Sequence, residues 1–130
     1  MKKLLLVVLA LTFPVLANNS GLFTKYEAVR QALLKSSLPN VQKSAAALAA
    51  DAQAAKLSTV ADSAQALAVA KNLADARRSF GVLSDQMTSL PGRPAVYHCP
   101  MVKKSWLQAK GTVGNPYDPS MATCGELKAE

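Results

Sequence analysis

Histidine and tryptophan each occur once in these 130 residues, cysteine occurs twice, and aromatic side chains make up only 5% of the chain. A lone histidine gives a His-based catalytic pair little to build on. No glycine-rich phosphate loop is present, and no residue pattern of a serine or cysteine hydrolase, so the sequence points away from an enzyme. No apolar run reaches the roughly 20 residues that a membrane-spanning helix needs. Positive charge is scattered rather than clustered. Beyond the first three residues only Arg77-Arg78 and Lys103-Lys104 are paired, and the basic stripe with interleaved aromatics that nucleic acid requires is missing. The scarcity of aromatics is offset by alanine. Each alanine buries little area, so a core built from it needs many small contacts between closely packed helices.

The N-terminus sets the compartment. Lys2 and Lys3 precede an apolar run over 4–16, interrupted by Thr12 and Pro14, and Val15-Leu16-Ala17 loosely fits a small-x-small cleavage site. This order predicts a signal peptide over 1–17 and a periplasmic or secreted mature chain. The mature part has about 113 residues, enough for one domain. Losing Lys2 and Lys3 leaves 13 basic against 8 acidic side chains, a formal charge of +5. Such a surface is mostly solvated, and it favours loose contact with anionic lipid or cell-wall polymer. In an oxidising compartment disulfides are admissible.

Between 18 and 92 the apolar residues keep helical spacing. Leu22, Tyr26, Val29 and Leu33 share one face of a first helix over 21–35. Val41, Ala45, Leu48, Ala52 and Ala55 do so in a second, beginning near Ser37, with Pro39 in its first turn. A third follows Ser58-Thr59, either of which is a candidate cap, with Val60, Ala64 and Leu67 inward. Asn72 with Asp75 reads as the cap of a fourth, where Leu73, Ala76, Phe80, Leu83, Met87 and Leu90 alternate by three and four until Pro91-Gly92 stops it. Met87 is core by this reading, and Arg77 and Arg78 are surface residues or partners for Asp75 and Asp85. Short links make neighbouring helices antiparallel. The expected fold is mainly α: an antiparallel up-down four-helix bundle, followed over 93–130 by an irregular region with at most a small hairpin, packed on the bundle as part of the same domain.

The tail carries the chemistry. Tyr97-His98-Cys99-Pro100-Met101, Met121 and Cys124-Gly125 hold both cysteines, the one histidine and two of the four methionines. The soft ions Cu(I) and Ag(I) favour thiolate and thioether ligands. Cys99 and Met101 are two apart, Met121 and Cys124 three apart, so two half-sites closing on each other would make a sulfur-rich pocket. His98 is an auxiliary ligand, on the opposite face if 96–101 is regular strand. Zinc is the weaker fit, because its structural sites use Cys and His and have no need of methionine. Val96-Tyr97-His98 and Ser105-Trp106-Leu107 are candidate paired strands, Trp106 is a candidate anchor onto the bundle, and Asn115-Pro116-Tyr117 is a turn signal.

Together with Tyr26 and Val29, and with Arg78-Ser79-Phe80 and Leu83-Ser84, these tail elements resemble an exported bacterial family, the domain-of-unknown-function 3347 family. Its members occur alone and as an extension of copper/silver efflux adaptor proteins. The resemblance covers nearly the whole mature chain, with Asp118-Pro119 departing from the Gly or aromatic more usual after the turn. The run 97–101 also resembles the Tyr-x-Cys-Pro-Met core of small heavy-metal-binding domains. Family association implies copper or silver handling beside an efflux adaptor or another envelope protein.

Two functions from different classes therefore stand side by side. One is a periplasmic Cu(I)/Ag(I)-binding module using Cys99, Met101, Met121, Cys124 and His98, with a redox-sensitive variant that binds only when reduced. The other is a metal-free helical scaffold, stapled by a Cys99–Cys124 disulfide, that binds another envelope protein. Its alanine-rich helix faces are suited to a helical hairpin of an efflux adaptor.

Overall fold

A computed structural model describes residues 19–130, and the expected signal peptide over 1–17 lies outside them. Four helices come first: α1 (Ser20–Leu34), α2 (Leu38–Ala54), α3 (Ser58–Ala68) and α4 (Leu73–Met87). Strands β1 (Ala95–Cys99) and β2 (Lys104–Gln108), a 3-10 turn (Pro119–Met121) and β3 (Glu126–Ala129) follow. The helices pack in chain order, α1 on α2, α2 on α3 and α3 on α4, and α4 also packs on β2.

The inward faces are those the spacing predicts. Leu22, Tyr26, Val29 and Leu33 are buried, as are Val41, Ala45, Leu48 and Ala52, then Val60, Ala64 and Leu67, then Ala76, Phe80, Leu83 and Met87. Ala55 and Leu90 fall outside the helices that their spacing would extend. Pro39 sits in the first turn of α2, where its missing N–H removes no helical hydrogen bond. Asn72 caps α4 reciprocally: its Oδ1 accepts from the Asp75 amide at 2.8 Å and its Nδ2 donates to Asp75 Oδ2 at 3.0 Å. That cap, with the break over 69–72, separates α3 from α4. Neither Ser58 nor Thr59 caps α3. The cap position is Leu57, and no side chain bonds there.

The α1–α2 and α2–α3 links repeat one device. Ser36 and Lys56 adopt left-handed backbone, φ 51° and 59°. The amide of Ser37 donates to Ala32 O and that of Ser36 to Leu33 O, while Leu57 and Lys56 donate in the same way to Ala52 O and Gln53 O. This is the Schellman closure, which satisfies the last carbonyls of a helix and usually employs glycine. Neither link has one, so the sequence carries no marker of it.

Beyond 93 the expectation is corrected. The tail holds a three-stranded antiparallel sheet, ordered β2-β1-β3, and not merely a small hairpin. The expected β1–β2 pair is present, with Val96 opposite Leu107, Tyr97 opposite Trp106 and His98 opposite Ser105. The third strand pairs His98 with Glu126 and Tyr97 with Leu127, with a register irregularity between Val96 and Tyr97. Three of the four β3 residues are exposed, so no alternating apolar pattern announces the strand.

The few aromatics are concentrated where helices meet sheet. Tyr26 stacks on Phe80 with ring centroids 4.8 Å apart, Phe80 meets Tyr117 at 5.9 Å, Tyr117 meets Trp106 edge-on at 6.1 Å, and Trp106 stacks on Tyr97 at 6.1 Å. Five of the seven aromatic side chains thus form one file from α1 through α4 into the sheet. The helix–helix contacts are left largely to alanine, valine and leucine. Among the described residues no helix is long and apolar enough to cross a membrane.

Candidate functional site

Cys99 closes β1 and is fully buried. The chain then turns back through Pro100-Met101-Val102, with the Lys103 amide donating to Cys99 O at 2.9 Å and Lys103 in left-handed backbone at φ 57°. Cys124 arrives from the far end of the tail and sits at disulfide distance from Cys99, with Cα atoms 5.4 Å apart. Two residues later β3 begins, and Glu126 pairs with His98. The staple therefore clamps the first rung of the β1–β3 ladder.

The segment that delivers Cys124 is held from inside. Asn115 is 1% exposed. Its amide donates to Ala122 O, its Nδ2 donates to Cys124 O at 3.1 Å, and its Oδ1 accepts from the Tyr117 amide at 2.8 Å. The last bond closes an Asx turn over Asn115-Pro116-Tyr117, the form that this triplet predicts. Asp118-Pro119 has a local role as well: Asp118 Oδ1 accepts from the Ser120 amide and hydroxyl and caps the 3-10 turn that ends at Met121. Those two bonds hold the Asp118 carboxyl below its usual pKa. Gly125 is needed for space. A Cβ there would lie 2.6 Å from Trp106 Cη2 and 2.7 Å from Val113 Cγ1.

The remaining candidate ligands occupy three different settings. Met101 lies in the β1–β2 turn and is 69% exposed. Met121 is half-buried at the end of the 3-10 turn, and its carbonyl accepts from the Cys124 amide at 2.9 Å. His98 precedes Cys99 within β1, so the two side chains leave opposite faces of the sheet. Its Nδ1 lies 2.9 Å from Ser105 Oγ. Among the described residues no three His, Cys, Asp or Glu side chains are placed to hold a metal ion. Joined as a disulfide, Cys99 and Cys124 offer no thiolate, so a sulfur-ligated Cu(I) site needs the reduced pair.

Several residues for which the sequence gives no polar role organise the tail. Tyr26 on α1 accepts a hydrogen bond from the Leu107 amide at 3.0 Å, and its phenol lies 2.7 Å from Ser84 Oγ. Ser84 donates to Phe80 O at 2.7 Å. The protons thus run one way, from amide to phenol to hydroxyl to carbonyl, each bond polarising the next. Tyr117 donates to Ser105 O on the same strand. Burial, opposed by these bonds, raises the Tyr26 phenol well above its usual pKa. Burial raises Tyr117 also, and Tyr26 nearby adds to the rise.

Arg30 is the second organiser. Its side chain is 7% exposed, and the guanidinium forks onto Glu27 at 2.7 and 2.6 Å, while Nη1 donates to Gly114 O at 2.7 Å. Burial alone would raise the Glu27 carboxyl, but the bonds from Arg30 and Gln31 outweigh it and the pKa falls. Gln108 Oε1 gathers Trp106 Nε1 at 2.9 Å and the Gly114 amide at 3.1 Å. Gly114 leaves room for Arg30, since a Cβ there would stand 2.8 Å from Nη1. Arg77 is more than a surface charge: it donates to Pro116 O at 3.2 Å and to Ser36 Oγ at 3.1 Å, tying the tail to the α1–α2 link. Arg78 pairs with Asp75 at 2.9 Å, as expected. The one cue in the sequence is the Glu27/Arg30 spacing of three, which is common on solvated helix faces.

No family model, no curated protein and no solved structure matches this chain.

Proposed function

We infer that the mature chain is an exported, disulfide-stapled helical scaffold that binds another envelope protein and is not an enzyme. The observation that carries this reading is Cys99 and Cys124 at disulfide distance, with Cys99 fully buried. Their closure joins a loop with a sequence separation of 25 and stabilises the fold by about 3 kcal/mol in the chain-entropy model. Helix side chains hold the tail by its backbone, Tyr26 at Leu107, Arg30 at Gly114 and Arg77 at Pro116, which supports a structural role for this region. In this reading the short helix links set the four helices up and down in turn, and the signal peptide over 1–17 directs the chain to the periplasm. The partner class follows from the resemblance to domains fused with copper/silver efflux adaptors.

A second reading has its own support. Cys99 and Cys124 lie together, and each has a methionine close in sequence, Met101 two residues on and Met121 three residues back, so a reduced Cys99, Met101, Met121, Cys124 site for Cu(I) or Ag(I) would draw on both. His98 has no part in it, being on the other face of β1.

Native mass spectrometry of the mature protein separates the two. The scaffold reading expects a mass two hydrogen atoms short of the dithiol as isolated, and no copper adduct either then or after reduction. One Cu(I) bound only after reduction, and lost in the Met101→Ala/Met121→Ala double variant, overturns it in favour of the metal module.

A further inference from the structure

A groove runs between α4 and the exposed side of the sheet. Its upper part is a cavity of about 430 Å³, and a second hollow of about 320 Å³ continues it, sharing Asp85, Ser105 and Lys128. Four separate stretches of chain deliver cations to it: Arg78 from α4, Arg93 ahead of β1, Lys103 from the β1–β2 turn with Lys104 at the start of β2, and Lys128 from β3. Asp85 is the one carboxylate in the lining. Among the described residues Lys103, Lys104 and Lys128 form no ion pair, and neither does Asp85. Lys104 is held in place, its Nζ 5.2 Å from the Tyr117 ring centroid.

We propose that this groove binds a phosphate-bearing anion. Arg78 is already paired with Asp75, so Arg93, Lys103, Lys104 and Lys128 stand against the one carboxylate of Asp85, a surplus of positive charge that a single carboxylate ligand would not match and a phosphate dianion suits. Lysine ammoniums act on phosphate as point charges, and the guanidiniums add planar donors. Concave walls concentrate that potential above what the same charges give on a flat surface. The donor set is completed by the Ser105–His98 pair. With Ser105 Oγ donating to His98 Nδ1, the Nε2–H is the imidazole's remaining donor. The site depends on β3, because Lys128 enters the groove only when that strand lies beside β1. It stands apart from the sulfur pair and goes beyond the scaffold reading.

The test is a titration of the ¹⁵N-labelled mature protein with sodium phosphate and with glycerol phosphate at low salt, using acetate as control. A co-sedimentation arm uses phosphatidylcholine vesicles with and without phosphatidic acid. Saturable shifts at His98, Lys104 and Ser105 are expected for both phosphates and not for acetate. Lys103→Gln/Lys128→Gln, two exposed changes, weaken binding at least tenfold. Lys35→Gln/Lys43→Gln, remote from the groove with the same loss of charge, leaves it within twofold. Vesicle binding that needs phosphatidic acid and the groove lysines identifies a lipid headgroup as the source, and its absence identifies a soluble phosphate. No saturable shift in the wild type, or equal loss in the two double variants, overturns the site.

Discussion

The phenol of Tyr26 on α1 accepts the amide proton of Leu107 on β2 at 3.0 Å, across 81 residues of sequence. β2 is an edge strand, and an edge strand presents unpaired N–H and C=O groups that invite pairing with another chain. Here side chains from outside the sheet occupy two of them, Tyr26 at the Leu107 amide and Tyr117 at the Ser105 carbonyl. Ser84 on α4, 2.7 Å from the Tyr26 phenol and 3.3 Å from that of Tyr117, links both. Helices and sheet are thus joined by a polar connection with one geometry, in addition to the less directional packing of Phe80 and Trp106.

Tyr26→Phe keeps the ring on Phe80 and removes only the oxygen. The Leu107 amide and the Ser84 hydroxyl each lose a buried partner, so stability should fall by about 1–3 kcal/mol. Urea denaturation followed by far-UV circular dichroism reads this directly. A variant as stable as the wild type would mean that the edge of β2 does not need the phenol.

Loss of the staple should cost about 3 kcal/mol. Cys99→Ser/Cys124→Ser, or the wild type in strong reductant, is expected to lower the urea midpoint while the helical circular dichroism signal persists below the transition. Amide exchange should rise first in β3, whose opening rung the staple clamps. An unchanged midpoint on verified reduction would remove the structural role assigned to these cysteines.

Gly125→Ala places a methyl group within 2.6 Å of Trp106. Overpacking of a filled core typically costs about 1–3 kcal/mol, and Trp106, the only tryptophan, reports it through its fluorescence. Gly21→Ala is the matched control. Its Cβ would come no nearer than 3.8 Å to anything, and a glycine-to-alanine change within a helix should stabilise by about 0.5–1 kcal/mol.

High pH should unfold this protein in a defined window. Burial raises the folded pKa values of Tyr26 and Tyr117 above the ordinary tyrosine value of about 10. Well below pH 10 both states keep their protons and the stabilisation is complete. Above it the unfolded chain ionises first, and stability declines by about 1.4 kcal/mol per pH unit per tyrosine until the folded phenols themselves titrate. Denaturation midpoints at pH 7, 8.5 and 11 should be level between the first two and drop at the third, with Tyr26→Phe showing a shallower drop. A flat response through pH 11 would contradict the buried, neutral state of these phenols.

The helices, and the face each one buries, are readable from the sequence because they depend on local spacing: Tyr26, Leu48, Leu67 and Met87 recur at helical intervals, and Asn72 caps α4 through its own neighbour Asp75. The β1–β2 pair is also readable, since Val96-Tyr97-His98 and Ser105-Trp106-Leu107 are rich in strand-forming residues and close together. β3 is not. Glu-Leu-Lys-Ala has no strand signature, and its place beside β1 is set by contacts with a distant part of the chain, among them the clamp between Cys99 and Cys124. The same holds for the roles of Tyr26, Arg30, Ser84 and Arg77. Tyr26, Arg30 and Arg77 acquire their function only when a strand edge or loop some 40 to 80 positions away presents a backbone group to them, and Ser84 acquires its own only when the phenols of Tyr26 and Tyr117 reach it. Periodicity reports which side of an element is buried, and it does not encode which polar groups meet there. That pairing, together with the convergence of Arg78, Lys104 and Lys128 on one groove, was decided by the tertiary structure alone.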